Sequence, residues 1–109
     1  MTTPFRVTVR TAPAGPELAL TGELDFESAP EFRSRLDCLD LRAGERLVLD
    51  LSGLEFCDSS GLSAFIAAQH RATDRGATLA VVNVPPAIRR LFRVTGLDQF
   101  FHVEGPDPA

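Results

Sequence analysis

Residues 48–65 read Val-Leu-Asp-Leu-Ser-Gly-Leu-Glu-Phe-Cys-Asp-Ser-Ser-Gly-Leu-Ser-Ala-Phe, and the hydrophobic period changes inside this stretch. Val48, Leu49 and Leu51 predict a buried strand, Ser52-Gly53 a turn, and Leu62, Phe65 and Ile66 the inward face of a following helix. Between them lies Asp58-Ser59-Ser60-Gly61. Asp and Ser are both favoured N-cap residues, because a short side-chain oxygen accepts from backbone amides that the first helical turn leaves unpaired. A helix cap is the plain expectation. A hydroxyl there also lies at the positive end of a helix dipole, where a phosphate is tolerated, so the same residues suit a phosphorylation switch.

Upstream, Phe5, Val7 and Val9 alternate with Arg6, Thr8 and Arg10, the pattern of a strand with one wet face. Ala12 to Pro16 is a turn, and Leu18 and Leu20 resume the alternation up to Gly22, which predicts an antiparallel hairpin. Ser28-Ala29-Pro30-Glu31 fits a capping box, with Pro30 tolerated in the first turn. Ala29, Phe32, Leu36 and Leu39 form the apolar stripe of a first helix, and Arg42 to Glu45 returns the chain to the central strand.

Downstream, the second helix is expected to run to about Asp74 and to stop at a left-handed Gly76. Thr78 to Val84 is nearly continuously apolar, as in a strand covered on both faces. Pro85-Pro86 opens a third helix with Ile88, Leu91 and Phe92 inward and Arg89, Arg90 and Arg93 in water, closed by Gly96. Phe100, Phe101 and Val103 predict a short last strand. The order β-β-α-β-α-β-α-β is an α/β plan: one domain over residues 5–103, a mixed and mostly parallel sheet with an N-terminal β-hairpin and crossover helices, and a flexible tail over 104–109.

The chain has 109 residues, 44% hydrophobic and 24% charged, enough for a core without disulfide or metal staples. A net charge of -4 argues against a nucleic-acid or anionic-membrane surface. All basic residues are arginine, which reads as compositional bias. Cys38 and Cys57 lack redox or zinc spacing and are expected to be small buried thiols. With neither a leader-like N-terminus nor an apolar run of spanning length, a soluble cytoplasmic protein is expected. No phosphate-binding loop occurs. Asp50, Glu55 and Asp58 make a poor metal set without histidine, so no metal or cofactor is expected.

Gly22-Glu23-Leu24-Asp25, Leu49-Asp50-Leu51, Phe56-x-Asp58-Ser59-Ser60-Gly61-Leu62 and Thr95-Gly96-Leu97, in that order, resemble the STAS domain of bacterial anti-sigma factor antagonists over roughly Phe5 to Val103. The resemblance implies a non-enzymatic regulator. In that family the second motif serine is phosphorylated by an anti-sigma factor that is itself a serine kinase, and a protein serine phosphatase reverses the modification; carried over by position, the acceptor would be Ser60. Asp25, Asp58, Ser59, Ser60 and Gly61 would form the partner-facing end, with Ser59 the alternative acceptor. Many relatives have a further helix after the last strand, which the proline-rich segment after Val103 does not supply. How one sheet face is shielded, and the oligomeric state, stay open.

Two other readings stand beside this one. A STAS scaffold or interaction module could use the same serines only for capping and close packing. A small serine hydrolase would place Ser59 on a strand-to-helix turn ahead of Asp98 and His102, but Cys57 sits where the nucleophile elbow needs glycine, and the chain is short for a substrate pocket. His70 reads as a solvated helix residue, and Arg89, Arg90 and Arg93 as a solvated face or a secondary partner contact.

Overall fold

The computed structural model describes residues 3–105. The elements are β1 (Arg6–Ala12), β2 (Gly15–Leu24), α1 (Ala29–Asp37), β3 (Arg46–Cys57), α2 (Ser59–Asp74), β4 (Thr78–Val82), α3 (Pro86–Thr95), a 3-10 turn (Leu97–Gln99) and β5 (His102–Val103). The five strands lie in the order β1-β2-β3-β4-β5, with β1 antiparallel to β2 and the other neighbours parallel. The expected single α/β domain with its hairpin is what the chain forms.

Each of the three crossovers advances one strand in the same direction. Because such connections are right-handed, all three helices fall on one face. Leu18, Leu20, Leu47, Leu49, Leu51, Leu79 and Val81 point into that face and are buried. A row of rings joins the helix layer to β5: Phe32 to Phe65 at 5.6 Å, Phe65 to Phe92 at 5.4 Å and Phe92 to Phe101 at 5.1 Å between centroids, all near edge-to-face. Such pairs contribute about 0.5–1.5 kcal/mol each beyond area burial. Ala64, Ala68 and Ala72, one turn apart on α2, are fully buried and let the helix lie close to the sheet.

Several expectations are corrected. The sheet is covered on one side, so the apolar run in β4 does not reflect two helical layers. Leu79 and Val81 face the core, while Ala80 is small and lies between Val48 and His102 on the other face. Arg46, in register with Thr78, is ion-paired to Glu104. Ser52-Gly53 is not a turn, because β3 is continuous through it. Gly53 is glycine because a Cβ would come within 2.5 Å of Thr21 Cγ2 on β2.

The capping box does not form either. Ser28 is already in helical geometry, and its hydroxyl donates to the Glu23 carbonyl at 2.8 Å and accepts from the Asp25 amide at 2.9 Å. Cys38 is exposed at the end of α1, whereas Cys57 is buried. Phe100 and Phe101 precede the last strand. Phe101 is buried, and Phe100 lies edge-on to His70 at 5.7 Å.

Gly76 and Gly96 are left-handed, as expected for helix ends. Arg89 does not simply face water. Its guanidinium donates to the carbonyls of Glu104 and Gly105, at 3.2 and 2.7 Å. Of the expected tail, Glu104 is also held by its amide to the Val81 carbonyl at 2.8 Å, and residues 106–109 lie outside the described residues.

Candidate functional site

The carboxyl ends of β2 and β3 deliver two loops to the same edge of the sheet. Leu24 pairs with Cys57 in register, so Asp25 and Asp58 follow the last paired residues of adjacent strands. The Asp58 amide donates to the Leu24 carbonyl at 3.1 Å, which locks the second loop onto the first.

Asp58 is the N-cap of α2. One carboxylate oxygen accepts from the Ser60 amide at 2.9 Å and the Gly61 amide at 3.1 Å; the other accepts from the Phe26 amide at 3.2 Å. One short side chain thus ties the helix start to the loop after β2. Asp25 builds that loop. Its Oδ1 accepts from the Glu27 and Ser28 amides, both at 3.0 Å, and its carbonyl accepts from Ala29 at 2.8 Å, so the chain coils from Asp25 into α1. The Ser28 amide foremost, with the Ser28 hydroxyl and the Glu27 amide, holds the Asp25 carboxyl below its ordinary range against partial desolvation.

Gly61 is buried under the first turn of α2. A Cβ there would come within 2.5 Å of Cys57 Sγ and 2.9 Å of both Cγ and the carbonyl oxygen of Leu24. The glycine sets how closely the helix start approaches both strands. Burial pushes the Cys57 thiol up to about 12, with the Asp58 charge adding to the effect.

Ser59 is exposed and Ser60 half-buried. Because Asp58 does the capping, neither hydroxyl is needed for it, and neither makes a hydrogen bond among the described residues. The five residues named from the sequence, Asp25, Asp58, Ser59, Ser60 and Gly61, therefore meet at one edge. Two neighbours were missed: Phe26, 79% exposed, and Phe56, 47% exposed. A phenylalanine between two carboxylates in a loop, and a break in alternation at Glu55-Phe56, are the signals that mark them.

The hydrolase residues do not assemble. Asp98 and His102 line an open groove with Gln69, Thr73 and Thr78 beside the far end of α2. Thr73 lies fourteen helical steps beyond Ser59, about 21 Å at 1.5 Å per step.

Over residues 7–104 the chain matches the family described as Mlab, STAS domain. It belongs to the STAS family. An anti-sigma F factor antagonist of Paenibacillus polymyxa is 35% identical to this STAS domain over 79 residues, covering 72% of this chain and 68% of the relative. The crystal structure of an anti-sigma factor antagonist from Mycobacterium paratuberculosis superposes with a TM-score of 0.79 at 26% identity, covering 97% of this chain and 92% of that one. SpoIIAA in its unphosphorylated form shares the fold, with a TM-score of 0.73 at 17% identity over 94% of this chain and 90% of SpoIIAA. The phosphorylated form of SpoIIAA, from Bacillus, has a TM-score of 0.66 at 17% identity over 95% of this chain and 94% of that one. Among the described residues, no helix of the STAS domain is long and apolar enough to cross a membrane.

Proposed function

We propose that this STAS domain is an anti-sigma factor antagonist that captures a serine-kinase anti-sigma factor through the edge formed by Asp25, Asp58, Ser59, Ser60 and Gly61, and that phosphate on Ser60 ends the capture. One observation carries the reading: the hydroxyls at the start of α2 are spared from capping by Asp58 and stand at an accessible edge. The relatives named as anti-sigma factor antagonists give the regulatory role its support.

In the transfer, a bond forms between Ser60 Oγ and the γ-phosphorus of ATP held by the partner. The bridge to the β-phosphate breaks, ADP leaves, and the hydroxyl proton is released. The product carries about -1.5 to -2 added charges at pH 7. Asp58 already occupies the Ser60 and Gly61 amides, so the helix end does not absorb this charge. It projects toward the docked kinase, where the β-phosphate of the ADP still held by that kinase repels it. Bulk, desolvation and like charge oppose docking together, while the fold is untouched. Moving a complex from almost fully bound to almost fully free takes about 5.5 kcal/mol of differential affinity, and like-charge juxtaposition in a desolvated interface costs on the order of several kcal/mol. A protein serine phosphatase would reset the switch.

The test is incubation with ATP and the serine-kinase anti-sigma factors of the source genome, followed by phosphopeptide mass spectrometry and binding measurements on Ser60→Ala and Ser60→Asp. Phosphate on Ser60, with binding weakened in Ser60→Asp, is expected. Phosphate on Ser59 moves the acceptor by one residue, and no phosphate with unchanged binding in both variants refutes the switch. That last result would favour the second reading, an unmodified STAS interaction module.

A further inference from the structure

We infer, building on the antagonist reading above, that the partner's docking face is a positively charged protein surface with apolar pockets that receive Phe26 and Phe56. Exposed aromatic rings are the first observation. Five large hydrophobic residues are exposed among the described residues, and Phe26 is the most exposed of them. It is not on a loose loop: its amide is bonded to Asp58, and the turn that Asp25 organises fixes the residues after it. Phe56 pairs with Glu23 on the neighbouring strand, two residues before Asp58. Both residues therefore sit on the two segments that meet at Asp58, on a prefolded frame, which lowers the entropy lost when a partner covers them. Aromatic anchors of this kind carry most of the affinity of an interface.

Charge names the occupant. Six of the 15 acidic residues and none of the 11 arginines fall in residues 22–31 and 54–63, the segments that form this edge. The rest of the chain has a slight excess of positive charge. Glu23, Asp25, Glu27 and Glu31 wall a hollow of about 270 Å³ beside Phe5, open to a basic side chain. An acidic partner, a nucleic acid or an anionic membrane is repelled from this edge, and a basic protein surface is drawn to it. Phosphorylation leaves that long-range attraction in place, since it adds charge of the same sign. It acts on the close contact at Ser60, so it speeds dissociation more than it slows encounter.

The test uses the purified serine-kinase anti-sigma factor with ADP, and stopped-flow and calorimetric measurement from low to high salt. Phe26→Ala and Phe56→Ala are each expected to weaken binding about tenfold or more. Wild-type affinity should fall as salt rises, and the Glu27→Gln/Glu31→Gln/Glu55→Gln variant should associate more slowly and show a flatter salt dependence. Asp74→Asn, at the far end of α2, should behave as wild type. A kinase that binds and phosphorylates the wild type yet is indifferent to both phenylalanines, or to salt, overturns this inference and leaves the switch standing. A kinase that neither binds nor phosphorylates the wild type overturns both.

Discussion

At position 61 a single hydrogen in place of a side chain decides where α2 begins. Gly61→Ala must push Cys57, Leu24 or the helix itself aside, and two of the three contacts are with the Leu24 strand. A loss on the order of 1–3 kcal/mol is expected from the urea midpoint. Asp58→Ala removes the acceptor of three amides and is expected to cost about 1–2 kcal/mol by the same measurement; Asp58→Asn, which keeps an acceptor oxygen, should lose less. Cys57 gives a pH signature. Its unfolded thiol ionises near 9.0 and its folded thiol near about 12. The folded state therefore keeps the proton longer, and the stability this provides, complete below pH 9, drains away as pH rises toward 12. The chain has neither lysine nor tyrosine to blur that window. Wild type should lose stability faster than Cys57→Ala between pH 9 and 12, and parallel curves would retire the assignment.

Residue types alone announced a cap within Asp58-Ser59-Ser60 but not which oxygen supplies it; the structure gives that role to Asp58. They did not announce the Ser28 arrangement. A serine three residues before a glutamate fits a capping box equally well whether or not the turn has already begun, and only the contacts with Asp25, whose amide donates to the Ser28 hydroxyl and whose carboxylate accepts from the Ser28 amide, decide that it has.

Among the elements, α2 is the hub. Its alanine column meets the sheet, its first turn carries the candidate site, and Arg71 near its end reaches α1. The Arg71 Nη2 donates to the carbonyls of Asp37 and Leu39, at 2.9 and 3.0 Å, which closes the exposed end of α1, while its Nε is buried without a partner among the described residues. Arg71→Met keeps the stem and loses both bonds, so a drop of roughly 1–2 kcal/mol in unfolding free energy is expected, measured by chemical denaturation. Strand and helix order was legible because the change from period 2 to period 3.6 is strong at each crossover. The continuity of β3 was not. Ser52-Gly53 has the composition of a turn, and it extends instead because Gly53 pairs with Thr21 and Leu54 with Gly22 of β2, a partnership that local pattern does not carry. Likewise, a small residue such as Ala80 reads as buried in a doubly covered strand, when a place between Val48 and His102 on flanking strands of an uncovered face buries it as well.

Across the whole molecule, helices on one side leave a sheet face on which charged residues are tied to one another, Arg10 to Glu17 at 2.6 Å and Arg46 to Glu104. The acidic edge and the arginine-rich remainder make the chain electrically lopsided. That asymmetry was present in the sequence but became visible only once the fold had brought residues 22–31 and 54–63 together.

The outermost strand, β1, offers its unpaired backbone to water, and its Arg-Val-Thr-Val-Arg run reads the same in both directions about Thr8. Two such strands meeting antiparallel would set Arg6 of one copy against Arg10 of the other at both ends, a built-in guard against runaway stacking. Removing the guard with Arg6→Thr and Arg10→Thr together should turn a clear solution cloudy, with light scattering and a rise in thioflavin fluorescence as the readouts.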